Sequence, residues 1–522
     1  MIIHSPYPKL TIPELPLTVF MLQRWQEWGD KPALIDALSG RTLSYSQLVK
    51  YVQAVAAGLS QRGFSKGDVF AIYSPNIPEY AIAFHAIALL GGIVTTINPL
   101  YTVDELAYQL NDSGAKYLLT IPPIVERALQ AASKSKVTEV FVFGEADGAL
   151  PFAALLQGGK EVPEVQINPR EDTVALMYSS GTSGLPKGVM LTHYNIVASL
   201  LAQEASYYSF TKDEIIVAVM PFFHIGGLVA VLESALSRGL TAVVISRFDL
   251  EQFLQAIQQY KVTVASLVPP IVLALAKHPV VQQYQLSSLK LIGSGAAPLA
   301  DNVARACQQR LNCSVAQGYG LTESSGLTHG GVDILKKDRL GSIGHCLSNI
   351  ECKVVDTTTR LALGANQQGE ICIRGPHIMK GYLNRPEATA QAIDAEGWFY
   401  TGDIGYVDDD GCFYIVDRVK ELIKYKGMQV APAELEGVLL AHPAIADVAV
   451  VPVHDEEAGQ IPKAFVVLKG ETSIEEIIAF ANGRLAPHKR VRQVEFIEKI
   501  PKSPAGKILR RVLIEHEQAK RA

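Results

Sequence analysis

Short apolar runs rich in β-branched residues alternate with longer helical patterns through most of this chain, and that rhythm admits few architectures. VFAIYS (69–74), KYLLTI (116–121), EVFVFG (139–144), TAVVISR (241–247) and VTVASLV (262–268) read as strands. LEQFLQAIQQY (250–260) has the spacing of an amphipathic helix. The expected class is α/β, with sheets covered by helices. Beyond about residue 345 the spacing tightens to CKVVD, GEICIRG and GCFYIVD, which read as a small β-barrel-like subdomain. A last α+β segment carries DVAVVPV and AFVVL. The expected division is 1–419 for a large N-terminal domain and 420–522 for a small mobile one.

At 522 residues the chain exceeds one simple core. Apolar residues make up 48% and charged residues 19%, ordinary for a globular enzyme, and a net charge of −5 gives no footprint for nucleic acid. Two uncharged stretches approach the length of a membrane span, Ala81 to Val103 and Ile215 to Leu232. The first contains His85, Gly91-Gly92 and Asn98-Pro99, so it reads as a buried helix turning into the strand IVTTI. The second is broken by Pro221, His224 and Gly226-Gly227. No transmembrane segment is expected. The opening MIIHSPYPKL has no charged region followed by an apolar one, and the ending is not a peroxisomal tripeptide, so the expected location is cytoplasmic. Six cysteines at 307, 313, 346, 352, 372 and 412 form no CxxC pair and read as reduced thiols.

The segment YSSGTSGLPKG, starting at Tyr178, has the composition of a phosphate loop. It departs from the Walker pattern, because Pro186 stands five positions after Gly181 and Gly188 follows Lys187. Gly181 and Gly184 let the backbone approach an anion closely. Ser179, Ser180, Thr182 and Ser183 offer hydroxyls, and Lys187 offers a point charge.

Further along stand PFFHIGG at Pro221, GSGAAP at Gly293, QGYGLTE at Gln317, YTGD at Tyr400, DRVKELIKYKGMQVAPAELE at Asp417 and PKSPAGKILRR at Pro501. In this order and spacing they resemble the adenylate-forming superfamily: acyl-CoA synthetases, 4-coumarate-CoA-ligase-like enzymes, beetle luciferases and nonribosomal adenylation domains. The resemblance covers nearly the whole chain. It implies that a carboxylate attacks the α-phosphate of ATP, giving an acyl-adenylate and pyrophosphate, and that a thiol then displaces AMP. Such chemistry needs cations and donors around an in-line attack more than a protein nucleophile.

By resemblance, Ser179, Ser180, Gly181, Thr182, Ser183 and Lys187 would hold the β and γ phosphates. Thr322 would donate to the α-phosphate and Glu323 would bind Mg²⁺, a hard cation that takes one or two carboxylates together with phosphate oxygens and water. GSGAAP, Gln317, Gly318 and Tyr319 would receive the adenine. Asp403 would accept both ribose hydroxyls, and Arg418 would supply charge near ribose and phosphate. Lys507 would touch both the substrate carboxylate and the α-phosphate. His224 would line the acyl pocket and help place the carboxylate, with Gly226, Gly295 and Gly320 facing the substrate. Lys420 matches the family's hinge. Rotation about it would withdraw Lys507 and present Lys424, Lys426, Gly427 and Gln429 to the adenylate and the thiol.

FFHIGGLVA (222–230) carries no acid, which disfavours an α-amino acid substrate. Hydroxycinnamate ligases often carry a tyrosine two residues after the matching histidine, where this chain has Gly226. That departure points to a roomier apolar pocket, suited to a fatty or extended aryl acid. The expected acceptor is coenzyme A, with Arg247 contacting its phosphates. A free-standing acyl carrier protein is the alternative. A luciferase-like oxygenase and a non-catalytic nucleotide-binding protein are the remaining readings, the last opposed by the joint presence of Glu323, Asp403, Arg418, Lys424 and Lys507.

Overall fold

A computed structural model describes the chain apart from residues 158–160, 180–185, 207–210, 332–338, 420, 427, 456, 486, 504–505 and 521–522, and apart from the side chain of Gln429. Among the described residues, two large sheets form the bulk of the molecule. One runs in the order Lys187–Thr192, Thr173–Ser179, Ile93–Ile97, Val69–Tyr73, Ala115–Thr120, Glu139–Val142, Leu150–Pro151, with the short strand Gly381–Tyr382 on its first edge. From Thr173–Ser179 to Leu150–Pro151 the neighbours are parallel. The other runs Ser314–Gln317, Leu291–Ser294, Val264–Leu267, Ile215–Ala218, Thr241–Val244, Pro32–Asp36, parallel throughout, and closes with the antiparallel strand Thr42–Ser44.

The expected strands all form. The helix Leu250–Tyr260 has the predicted bounds, because Asp249 caps it by accepting from Gln252 N at 3.0 Å while Phe253, Leu254, Ala256 and Ile257 turn inward. The stretch from Ala81 to Val103 becomes the helix Glu79–Leu89 and the strand Ile93–Ile97, as its Gly and Pro punctuation implied. That helix is apolar all round because it is enclosed: Tyr80 through Ala88 are buried. Among the described residues, no helix is long and apolar enough to cross a membrane.

The second uncharged stretch opens as the strand Ile215–Ala218 and ends in a π-helix over Gly226–Glu233, a rare form that begins two residues after His224. The six cysteines carry free thiols.

A five-stranded antiparallel sheet, Ile2–His4, Glu351–Val355, Gly369–Arg374, Phe399–Val407, Phe413–Arg418, and a three-stranded one, Tyr319–Leu321, Gly326–Gly330, His345–Cys346, build the small β subdomain. From Ile423 onward the strands Ile423–Tyr425, Met428–Val430, Ile445–Asp455, Gly459–Leu468 and Gln493–Phe496 form a separate sheet. It carries its own apolar cores, one around Leu435, Val448, Val466 and Ile477 and another around Phe465 and Leu513.

Candidate active site

In open parallel sheets, ligands bind beyond the carboxyl ends of the strands. Both large sheets contribute there: Ser179 ends Thr173–Ser179, GSGAAP continues Leu291–Ser294, Gln317 ends Ser314–Gln317, and PFFHIGG follows Ile215–Ala218.

Ser179 and Lys187 are antiparallel partners, so the two ends of the glycine-rich loop stand side by side. Ser180, Gly181, Thr182 and Ser183 lie outside the described residues, as do Lys420 and Gly427. Ser179 Oγ donates to Glu323 Oε1 at 2.9 Å, and Tyr382 OH donates to the same oxygen at 3.0 Å. Lys187 Nζ sits 4.9 Å from the centre of the Tyr382 ring. Tyr382 therefore links the loop lysine to the carboxylate. Burial beside Glu323 pushes its phenol up, so it remains a donor. Among the described residues Glu323 Oε2 carries no bond. That free oxygen suits a cation completing its shell with phosphate and water, and no fuller cage of three acidic or histidine ligands occurs among them. Thr322 opens the turn that carries Glu323.

Asp403 is 3% exposed and is the register partner of Arg418 on the adjacent strand. Arg418 Nε lies 3.0 Å from Asp403 Oδ1, and Tyr319 OH donates to Oδ2 at 2.6 Å. Burial, and then Asp403, raise the Tyr319 phenol far above its usual range. Asp403 raises Arg418. The three form one chain along the β subdomain.

The glycines differ in what they permit. At Gly320 a Cβ would stand 2.0 Å from Gly326 O, which a side chain cannot survive. At Gly295 it would meet only Gly318 O at 3.6 Å, and at Gly318 the Leu327 side chain at 3.3 Å. Gln317 is already engaged, its Oε1 accepting from Leu299 N at 2.8 Å.

His224 is partly buried. Burial, and then Lys507, lower its pKa to about 4, so it is neutral at pH 7. The segment leading to it is held by Asn76, whose amide donates to Ala218 O at 3.3 Å and Met220 O at 2.9 Å and accepts from Phe222 N at 2.8 Å. Thr96 Oγ1 adds a bond to Phe223 O at 2.9 Å. Gly227 is obligatory, since a Cβ there would fall 2.0 Å from Pro221 O. At Gly226 a Cβ would meet only Met220 Cε, at 3.8 Å.

Lys507 reaches this cluster from the C-terminal segment. Gly506, in the left-handed region at φ +78°, brings the chain against Pro270, whose side chain would lie 3.5 Å from a Cβ. Desolvation by the surrounding protein lowers the Lys507 pKa, although the residue itself is exposed. Arg418 lowers it further, and Asp403, Glu323 and Glu421 oppose the shift.

Lys424 and Lys426 lie elsewhere, Lys424 on the C-terminal sheet and Lys426 in the turn that follows its strand. Lys424 N bonds Gln460 Oε1 at 2.8 Å and Lys426 pairs with Glu457. Gln429 is the register partner of Lys424. Arg247 is exposed beyond Thr241–Val244, without a bond to the cluster among the described residues.

Residues 22–383 match the family described as AMP-binding enzyme, and residues 434–507 match the AMP-binding enzyme C-terminal domain. The chain belongs to the AMP-binding enzyme family. A 4-coumarate–CoA ligase from Pinus taeda is 44% identical over 519 residues, covering 98% of this chain and 96% of that protein. An o-succinylbenzoate CoA synthetase from Bacillus subtilis, solved with its acyl-adenylate, has a TM-score of 0.84 at 30% identity, over 96% of this chain and 98% of the other. An anthranilate CoA ligase with anthranoyl-AMP has a TM-score of 0.88 at 25% identity, over 98% of each chain. This AMP-binding enzyme is an AMP-forming acid–thiol ligase, and use of ATP and coenzyme A follows from that class.

Sequence reading missed Tyr382 and Asn76. Neither carries a local cue: Tyr382 is one of 20 tyrosines, and Asn76 lies far in sequence from the histidine segment it secures.

Proposed function

We propose that this AMP-binding enzyme activates an aryl carboxylic acid with an extended or bulky ring system and transfers it to coenzyme A. The observation that carries the reading is the convergence of Lys507, His224, Arg418, Asp403 and Glu323 at the carboxyl ends of two sheets, beside an apolar segment that lacks an acid. The relatives named for 4-coumarate, anthranilate and o-succinylbenzoate all take aryl acids, which supports an aryl substrate over a fatty one. The free space at Gly226 supports a wider pocket than a tyrosine at that position would leave.

In this reading Asp403 accepts the ribose hydroxyls and Arg418 neutralises phosphate charge. Ser179, Lys187, Gly181 and the hydroxyls of Ser180, Thr182 and Ser183 grip the β and γ phosphates, while Gln317, Gly318 and Tyr319 flank the base. Glu323, oriented by Ser179 and Tyr382, holds Mg²⁺, which when bound supplies charge neutralisation at the phosphates. Neutral His224 donates to the substrate carboxylate, and Gly226, Gly295 and Gly320 leave room for the acyl group. Lys507 screens the carboxylate from the α-phosphate, so that one carboxylate oxygen forms a bond to phosphorus as the bond to pyrophosphate breaks. The C-terminal unit, residues 420–522, then turns about Lys420 and brings Lys424, Lys426, Gly427 and Gln429 to the adenylate. Arg247 meets the coenzyme A phosphates. The thiol sulfur bonds the acyl carbon, AMP departs with its oxygen, and the thiol proton passes to solvent.

Acid-dependent exchange of labelled pyrophosphate into ATP, run over cinnamates, benzoates, longer aryl acids and fatty acids, tests the reading. Fastest exchange with an extended aryl acid is expected; a clear preference for an unbranched fatty acid contradicts it.

A further inference from the structure

The helix Pro432–Leu440 opens the C-terminal unit, yet its flanking residue Ala431 supplies no side-chain cap. The first four amides of a helix need partners from outside it. Ala433 N finds one in Asp417 Oδ2, at 2.9 Å, sixteen positions back on the strand Phe413–Arg418. The other carboxylate oxygen, Oδ1, accepts from Arg418 N at 2.7 Å. Asp417 is 6% exposed, so this cap is enclosed.

The two partners belong to different bodies. Asp417 sits on a strand bonded to Phe399–Val407 in the β subdomain, where its register partner is Ile404. The helix packs through Leu435 and Leu439 into the core of the C-terminal sheet. Behind the helix, Arg510 grips Glu436 with Nη2 at 2.7 and 2.8 Å, pairs with Glu421 through Nη1 at 2.9 Å and donates from Nε to Val450 O at 3.1 Å. Those partners all lie after residue 420 and would travel together. The Asp417–Ala433 bond instead spans the join.

We propose that Asp417 is a positioning residue for adenylation: by capping Pro432–Leu440 from the other side of the join, it holds the C-terminal unit where Lys507 faces the nucleotide site. This rests on the reading that the unit turns between half-reactions. Asp417 stays with its strand and Ala433 leaves with its helix, so the turn breaks the cap. The bond therefore favours the adenylating orientation without touching any reacting atom. Losing a helix cap shifts such a balance by roughly 2- to 30-fold.

The test compares Asp417→Ala, Asp417→Asn and Lys507→Ala in two assays, pyrophosphate exchange and thioester formation from supplied acyl-AMP, with thermal midpoints recorded. Asp417→Ala is expected to slow exchange by roughly 2- to 30-fold while thioester formation is unchanged or faster. Asp417→Asn keeps the volume and one acceptor oxygen, and is expected to give a smaller loss in the same direction. Should Asp417→Ala not fold, the Asn variant decides. Equal losses in both assays, or no selective loss of exchange, overturn the proposal. If Lys507→Ala is selective for exchange and the Asp417 variants are not, the positioning role alone fails. If Lys507→Ala lowers both assays equally, the alternation on which it rests fails.

Discussion

Asp403 and Arg418 face each other across one antiparallel register pair, with their side chains meeting at 3.0 Å. The strand pairing itself sets this distance, so the carboxylate and the guanidinium are placed by backbone hydrogen bonds and need no flexible loop. Tyr319 closes the arrangement from a second sheet at 2.6 Å. A site built on strands in this way is preorganised before ATP arrives.

Asp403→Asn keeps the shape and removes the charge that Arg418 and Tyr319 address. The expected outcome is a rise of roughly 10- to 100-fold in KM for ATP with KM for the acid little changed, read from initial rates at saturating acid. A change confined to the acid would contradict the ribose role.

Tyr382→Phe removes one of the two hydroxyls on Glu323 Oε1 and leaves the ring beneath Lys187. Hydrogen bonds to charged groups contribute about 1.5–3 kcal/mol, so the Mg²⁺ concentration for half-maximal exchange should rise by roughly 10- to 100-fold. Mn²⁺ binding followed by electron spin resonance should weaken in parallel. Tyr382→Ala should add a rise in KM for ATP, because Lys187 loses its support.

Gly226 and Gly227 should behave oppositely. Gly227→Ala places a methyl 2.0 Å from Pro221 O and should displace His224, removing most activity with every acid. Gly226→Ala meets only Met220 Cε at 3.8 Å. It should keep the rate with a compact benzoate and raise KM for bulky aryl acids, measured across the same acid panel.

His377 is fully buried, and neither ring nitrogen has a hydrogen-bond partner among the described residues. Burial lowers its pKa to about 3. The unfolded chain then binds the extra proton between about pH 6.5 and 3, so this residue withdraws stability as pH falls through that window. His377→Leu removes an unsatisfied polar ring and should leave the midpoint at pH 7 unchanged or raised. Its loss of stability between about pH 6.5 and 4 should be shallower than in the unaltered protein, as followed by urea unfolding at each pH.

Much of the fold was legible in the sequence because its signals are local. Asp249 announces a helix that Phe253 and Ile257 anchor, and the pair Gly91-Gly92 marks where Glu79–Leu89 stops. The charged run DRVKELIKYKG was harder to read. Its periodicity suits a helix, yet within it Ile423–Tyr425 is a strand that pairs with Met428–Val430 just beyond, because Ile423 and Val430 belong to the C-terminal core. Glu323, Asp403, Arg418 and Lys507 could be picked out through their motifs. Tyr382, Asn76 and Asp417 act through partners 59, 146 and 16 residues away, and no local pattern encodes such pairings.

The central claim is that Lys507 serves carboxyl activation and then gives way to Lys424. The most direct measurement is a pair of half-reaction rates for Lys507→Ala and Lys424→Ala. The account predicts that Lys507→Ala loses pyrophosphate exchange by roughly 100-fold or more yet forms thioester from supplied acyl-AMP, and that Lys424→Ala does the reverse. Equal loss of both half-reactions in either variant would contradict it.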